Sequence, residues 1–171
     1  SSLKYIFVTR DGEAIVPQKL TQVEVKGEIL TTIGDYAFEG FENLNSVSFS
    51  SGVTVIGQYA FAGCSSLKEV GTKGEFNISS ITEIGSYAFA GCVSIPKSLD
   101  LSKVMVFGQK VFDNSGLEKV VLSGEAEDFG SAKAFENLAS LKEARLYSTL
   151  AFDAVVNGTG ITASDIEEER T

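Results

Sequence analysis

The side chains able to carry acid–base or metal chemistry are few in kind: two cysteines, 23 acidic residues and no histidine. Without histidine, the chain lacks the commonest general base and the commonest metal ligand. Cys64 and Cys92 therefore have no partner for a Cys–His nucleophile pair or a mixed Cys/His zinc site. Carboxylates alone could support catalysis, but no acidic pair falls where the rest of the sequence predicts a cleft. We predict a protein that is not an enzyme and that binds no metal and no cofactor.

Motifs, charge and length limit the classes of partner that the chain could bind. The sequence holds no phosphate-binding glycine loop, nucleophile elbow or calcium loop. A net charge of −9 and a pI near 4.5 argue against binding to nucleic acid or to an anionic membrane surface. No apolar stretch approaches the length of a membrane-spanning helix, so no membrane insertion is expected. At 171 residues, the chain has the size of one domain, and we expect a monomer.

Both cysteines belong to a sequence pattern that is repeated along the chain. Successive copies begin 23, 28, 23 and 22 residues apart. A period in this range indicates a solenoid, in which each repeat buries its apolar edge only against its neighbours. The copies occupy residues 33–38, 56–61, 84–89, 107–112 and, more loosely, 129–135.

A short strand-like run of the form L-x-x-V-x-F follows each copy, and a half copy at residues 20–25 precedes them all. The chain therefore carries six strand rungs. Alternation within each run points every second residue inward and the residues between them outward. The inward residues begin with Leu20, Val23 and Val25, then Leu44, Val47 and Phe49, then Leu67, Val70 and Thr72, and continue through Leu99 and Leu101, Leu117, Val120 and Leu122, to Leu141, Ala144 and Leu146.

One phenylalanine per copy recurs at a fixed offset, as an internal spine requires. The tyrosine two residues earlier is expected to lie partly exposed, with a packed ring and a solvated hydroxyl. A sticky tyrosine stripe that binds a partner is the alternative interpretation of that column. The spine residues are Phe38, Phe61, Phe89, Phe112 and Phe135, and the tyrosines are Tyr36, Tyr59 and Tyr87.

Cys64 and Cys92 are equivalent positions of adjacent rungs. Strand-like spacing would place them about 5 Å apart, within reach of a disulfide. Parallel side chains in a stacked ladder do not favour the near-90° torsion that a disulfide adopts. We predict two free, buried thiols that act as small apolar side chains, with a disulfide as the alternative.

The combined pattern I-G-x-Y-A-F-x-G-C-x-x-L resembles the BspA-like family of leucine-rich repeats, also called the bacterial surface antigen type. The resemblance covers residues 20–147 and weakens in the last two copies, where Lys110 and Lys133 replace tyrosine. It implies an α/β repeat protein: a β-rich leucine-rich-repeat solenoid of about six short rungs. Terminal repeats are usually atypical because they cap the stack.

The domain organisation predicted from the sequence has three parts. Residues 1–19 form an N-terminal β-hairpin cap around Asp11-Gly12, residues 20–147 form the solenoid, and residues 148–171 form a C-terminal cap and acidic tail. The extra residues of the long third interval are expected to form a protruding loop within 71–80. Residues 150–156 are expected to add a partial rung, and residues 165–171 to be solvated or frayed.

The outward side of the strands is the predicted binding surface, since solenoids present broad faces of this kind to partners. Its first column is Gln22, Ser46, Glu69, Ser98, Lys119 and Glu143; its second is Glu24, Ser48, Gly71, Asp100, Val121 and Arg145; its third is Lys26, Ser50, Lys73, Ser102, Ser123 and Tyr147. Within these columns the candidate binding residues are Glu69, Asp100, Lys119, Glu143, Arg145 and Tyr147. An ordinary solvated sheet face is the alternative.

The resemblance, and not the composition, implies a function. Members of the BspA-like family look like adhesins, so a secreted or bacterial cell-surface protein is expected, binding extracellular-matrix or cell-surface proteins. A structural spacer in a larger surface protein and a glycan-binding module are the alternatives. Residues 1–4 show no apolar signal-peptide segment, so an export signal is expected to lie outside this sequence.

Overall fold

Each repeat makes one turn of a β-solenoid in the computed structural model, which describes residues 17–26, 29–131, 133–147, 149–156, 159–162 and 165–168. A turn has a strand on one side, here called the front, and a second strand on the other side, the rear. The front strands that open the turns are β1 (Gln22–Glu24), β3 (Ser46–Ser48), β5 (Glu69–Gly71), β8 (Ser98–Leu101), β10 (Lys119–Leu122) and β12 (Glu143–Leu146). The rear strands are β2 (Thr32–Ile33), β4 (Val55–Ile56), β7 (Glu83–Ile84), β9 (Val106–Phe107) and β11 (Asp128–Phe129). Five complete turns and the front strand of a sixth confirm the predicted β-rich solenoid.

The rear strands form one parallel sheet in the order β11-β9-β7-β4-β2, the rear sheet. Each strand ends at an inward apolar residue, Ile33, Ile56 and Ile84 among them, and a glycine follows. At Gly85 a Cβ would lie 2.4 Å from the Gln58 backbone nitrogen of the previous turn. Glycine is therefore required where successive backbones approach this closely.

The predicted phenylalanine spine is confirmed, with all five rings fully buried. Centroids of consecutive rings from Phe38 to Phe135 are 5.4, 5.3, 5.5 and 6.1 Å apart, and the rings are inclined by 12° or less. The spacing equals about one strand separation per turn. The inward strand residues pack around this column, except for Thr72, which is exposed, and each turn adds one layer to a single continuous core.

The front side is divided into two parallel sheets, where the sequence predicted unbroken columns. The N-terminal front sheet has the order β1-β3-β5-β6, and the C-terminal front sheet has the order β13-β12-β10-β8. The break occurs at β6 (Phe76–Asn77), a strand inside the segment 71–80 that was predicted to be a protruding loop. Val70 and Gly71 of β5 pair with Phe76 and Asn77, so the extra residues add a strand.

Two expectations for the C-terminal region are wrong. The segment predicted as a partial rung forms the helix α1 (Thr149–Val156), which packs against β11 and β12 through buried Ala151, Ala154 and Val155. Residues 166–168, within the segment expected to be solvated or frayed, are not frayed but form β13 (Ile166–Glu168), which pairs with β12. Apolar residues in these two segments find partners on the last turn. The predicted hairpin around Asp11-Gly12 lies outside the described residues.

Candidate functional site

Five of the six candidate binding residues lie in or directly after the strands of the C-terminal front sheet. Within that sheet the register places Ser98, Lys119 and Glu143 in one row and Asp100, Val121 and Arg145 in the next. Tyr147 follows the last residue of β12. The strands bring these side chains together because their inward neighbours, such as Val120 and Ala144, are fully buried.

Lys119 and Glu143 are paired with each other. The Lys119 ammonium donates a hydrogen bond to the Glu143 carboxylate across the row. Both side chains are partly exposed, at 36% and 44%. An exposed pair of this kind contributes about 1 kcal/mol or less to stability. The pair therefore offers a partner a fixed arrangement of opposite charges more than it stabilises the fold.

Tyr147 is 41% exposed, one of the few large hydrophobic side chains with that much open surface among the described residues. The backbone at Tyr147 packs closely over Gly124 of the preceding turn, where a Cβ would lie 2.8 Å from the Tyr147 carbonyl oxygen. Arg145, two residues earlier, is partly buried. Arginine and tyrosine are the residue types most often found as interface anchors.

Glu69 is separated from the other five candidates. It lies on β5 of the N-terminal front sheet, in one row with Gln22 and Ser46, and β6 stands between β5 and the second sheet. Its carboxylate accepts a hydrogen bond from the Gly74 amide at 3.2 Å, which ties it to the inserted segment. The six residues therefore do not share one ladder.

Two serines of the predicted outward columns are not accessible. Ser46 is 7% exposed and Ser123 is 8% exposed. The Ser123 hydroxyl accepts a hydrogen bond from the Glu125 amide at 2.9 Å, which stabilises the turn after β10. Short side chains are covered by their neighbours even on the outer face, and a partner would contact the longer side chains around them.

A second group of charges borders the C-terminal front sheet and was not predicted. Glu118 accepts hydrogen bonds from Lys142, at 2.7 Å, and from Lys97. Those two lysines hold the pKa of Glu118 well below its usual value, at about 2. Each of the three residues directly precedes a residue of the Ser98 row. The sequence signal that could have predicted this group is the opposite charges that occupy one repeat position in successive rungs.

The three tyrosines form a stacked ladder. Ring centroids of Tyr36 and Tyr59 are 5.2 Å apart and those of Tyr59 and Tyr87 are 4.8 Å apart, with planes within 7°. Tyr36 is 40% exposed and the other two are partly buried, as predicted. Burial raises the pKa of the Tyr59 hydroxyl.

The tyrosine backbones adopt an unusual conformation, with φ of 58°, 54° and 58°. This left-handed region is uncommon for residues with a large side chain. Each tyrosine amide donates to a carbonyl of the next turn at 2.9 Å, which together with ring stacking offsets the strain. This conformation could not be predicted from the sequence, because tyrosine is not a residue type that indicates a left-handed turn.

Cys64 and Cys92 are free and buried, as predicted. Their thiols donate weak hydrogen bonds to the carbonyl oxygens of Phe38, at 3.0 Å, and Phe61, at 3.1 Å, each in the preceding turn. Burial raises the pKa of Cys64 to about 12 and that of Cys92 well above its usual value. Neutral thiols that link adjacent turns have a structural role and are poor nucleophiles.

The described ranges contain no group of three or more acidic or cysteine residues arranged to hold a metal ion. They also contain no helix long and apolar enough to cross a membrane. What the geometry offers is a surface: a mixed-charge sheet face beside an open break in the front side.

Known proteins with solved structures share this architecture. A leucine-rich-repeat protein from T. pallidum is 32% identical, with a TM-score of 0.63, over 75% of this chain and 59% of that one. A leucine-rich cell surface protein from Faecalibacterium prausnitzii A2-165 is 22% identical, with a TM-score of 0.62, over 92% of this chain and 38% of that one. The pneumococcal vaccine antigen PcpA is 17% identical, with a TM-score of 0.63, over 92% and 44%. The last two similarities show the fold alone.

This chain spans less than two thirds of the length of each of these three proteins. No curated protein matches the sequence. The model of one family, the BspA-type leucine-rich-repeat region, matches residues 16–142 in six copies. That match covers most of the chain and includes every front strand up to β10, so the protein belongs to the BspA-type leucine-rich-repeat family.

Proposed function

We propose that this domain is a non-enzymatic protein-interaction module of a bacterial surface protein, adhesin-like, which binds extracellular-matrix or neighbouring-cell proteins. Leucine-rich-repeat domains generally mediate protein interactions, and proteins with this fold include one described as a cell surface protein and one as a vaccine antigen. An extracellular or cell-surface location is part of the proposal.

One observation carries the choice of surface: five candidate residues stand side by side on the C-terminal front sheet. The paired charges Lys119 and Glu143 lie in the row before Arg145, and Tyr147 is exposed beyond it. Contiguous strands of this kind supply an extended area, and a stable interface needs about 800 Å² on each partner. Arg145 and Tyr147 are expected to anchor the partner, while Asp100, Glu69 and the paired charges orient it.

An array of matrix glycoproteins and surface glycans, probed with the purified domain, tests the proposal. Saturable binding to a protein is expected, and replacing Arg145 and Tyr147 together by alanine should weaken it at least tenfold while leaving the melting temperature nearly unchanged. Alanine at Glu83 and Gln109, exposed positions of the rear side, is the matched control and should leave binding unchanged.

Three outcomes contradict the proposal. Absence of any saturable partner would favour a structural spacer. Binding to glycans alone would favour a glycan-binding module. Binding that survives the Arg145 and Tyr147 changes, together with charge reversal at Glu69 and Asp100, but is lost on altering Tyr59 or Tyr87 would place the site on the tyrosine ladder.

A further inference from the structure

The break between the two front sheets is a built feature of the third turn. On the rear side, β7 pairs directly with β4 and with β9. At the spine, Phe89 stacks on Phe61 and on Phe112 at ordinary spacing, 5.3 and 5.5 Å. The front side of the same turn holds two strands, β5 and β6, before β8 begins. The insertion therefore widens the front side alone.

An open cleft of about 370 Å³ lies between the inserted segment and β8. Residues 75–79 form one wall, and the other is formed by Pro96, residues 98–100, Ser102 and Lys103. Both β6 and β8 are terminal strands of their sheets, and no ladder joins them in the described part of the chain. Two strand edges therefore border one cleft.

The hydrogen-bond pattern shows which groups β8 directs toward the cleft. The Lys119 amide donates to the Lys97 carbonyl oxygen at 2.8 Å, and Lys119 is in register with Ser98. In a parallel ladder, Lys119 forms its hydrogen bonds with the residues before and after its register partner, Ser98. The amide and carbonyl groups of Ser98 itself then point to the opposite side of β8. The amides and carbonyls of Ser98 and Asp100 thus face away from β10, along the cleft edge.

Pro96 and Lys97, residue types that often protect a sheet edge, directly precede β8, but the Ser98–Asp100 backbone lies beyond them. Ser98 and Asp100 are both exposed, and β8 itself contains no proline, lysine or bulge. An open strand edge of this kind is a template for another extended chain. Main-chain hydrogen bonds then supply affinity, and alternate side chains supply specificity.

We propose that β8 binds an extended, basic segment of a partner protein by β-strand addition along the Ser98–Asp100 edge, within the cleft formed by the β6 insertion. The charged residues of the cleft are Glu75, Asp100 and Lys103, a net negative set on a domain of charge −9. That balance favours a positively charged segment. Phe76, a partly buried residue in the wall formed by the inserted segment, gives one apolar contact for the bound chain. The inference rests on the proposed function, since it specifies how a protein partner would engage the front side.

Random dodecapeptides displayed on phage, selected on the purified domain, are the probe. Selected sequences should be enriched in lysine or arginine. A synthetic copy of one selected peptide is then N-methylated at one backbone position at a time. Strand addition to a single edge predicts at least tenfold weaker binding at two positions separated by a tolerated one, because alternate amides face β8.

Ser98→Pro is the matching change in the protein, with Ser98→Ala as its control. Proline removes one edge amide and is tolerated on an edge strand whose amide does not serve the ladder. Peptide binding should fall at least tenfold in Ser98→Pro and by less than twofold in Ser98→Ala. Should Ser98→Pro fail to fold, the N-methyl scan on the unchanged domain decides alone.

Failure to enrich any peptide, an N-methyl profile without alternation, or full binding by folded Ser98→Pro would overturn strand addition. The double alanine variant at Arg145 and Tyr147 separates this inference from the proposed function. If that variant loses binding to a matrix protein and the cleft binds no peptide, strand addition is wrong and the proposed function stands. If the cleft binds a peptide but the domain has no matrix partner, the proposed function is wrong and strand addition stands.

Discussion

The rear and front sides of this solenoid are built from the same repeats but differ in continuity. The rear sheet runs unbroken through five strands, whereas the front side divides between β6 and β8. Rear strands are held in step by glycines packed against the backbone of the preceding turn, such as Gly85 and Gly108. Front backbones also approach closely at Gly71 and Gly124, but the N-terminal front ladder ends at β6, so the five extra residues of the third interval are accommodated there.

This difference separates two roles. The rear sheet and the phenylalanine spine fix the spacing of the turns, because no atom can be added between backbones in contact. The front side can accept an insertion without losing the core, and there the open strand edges and mixed charges occur. Loops and insertions on a rigid scaffold are common places for binding residues.

Removing a central spine ring should have the largest effect, since the spine is shared by both sides. Phe89→Ala leaves a cavity between two stacked neighbours and is expected to cost about 3 to 5 kcal/mol of unfolding free energy. Phe135→Ala, at the last ring of the column, is the matched control and should cost less, because a terminal turn relaxes more readily. Urea denaturation measures both. Equal losses below about 1 kcal/mol would show that the rings do not form a cooperative spine.

A methyl group in the rear contact should have the next largest effect. In Gly85→Ala the new Cβ would lie 2.4 Å from the Gln58 nitrogen, so two backbones must separate. We expect a loss of about 2 to 3 kcal/mol from this overpacking. Gly160→Ala, whose Cβ meets open space, should change stability by less than about 0.5 kcal/mol. Similar melting temperatures for the two variants would show that the rear contact does not set the spacing.

Regularity of the sequence explains which parts could be predicted. The phenylalanine offset predicted the spine, and alternation predicted the rows of the C-terminal front sheet, because a solenoid repeats one environment at every turn. The strand β6 was missed because two residues, Phe76 and Asn77, carry no alternation and stand among glycines and serines. The predicted surface residues follow from residue type and row, and nothing in the sequence predicts whether Glu69 and Asp100 lie in the same sheet.

Restoring the regular period tests the origin of the break. Replacing residues 71–80 by a copy of residues 48–52, the matching segment of the preceding turn, shortens the long interval to 23 residues. The two front sheets are expected to merge, and amide hydrogen exchange at Ser98 and Asp100 should slow. Unchanged exchange at both amides would mean that the insertion is not what keeps the edge open.

The ion pairs bordering the C-terminal front sheet should give the smallest effect. Lys142 and Lys97 lower the pKa of Glu118 to about 2, while in the unfolded chain it titrates near 4.5. A lowered folded pKa means that the carboxylate contributes stability above pH 4.5 and that this contribution is lost as pH falls from 4.5 toward 2. Glu118→Gln should therefore be less stable than the unchanged protein at pH 7, and the two urea midpoints should converge toward pH 2.

Glu127→Gln is the control for that change, because Glu127 is exposed and belongs to none of the ion pairs found among the described residues. Its midpoint should follow that of the unchanged protein at every pH. In 1 M salt the difference between Glu118→Gln and the unchanged protein should shrink, because exposed charges are screened over about 3 Å. A difference that persists at pH 2 and in high salt would mean that Glu118 acts by packing. The rear strands carry none of the described ion pairs, so the corresponding substitution there, Glu83→Gln, should show no convergence toward pH 2.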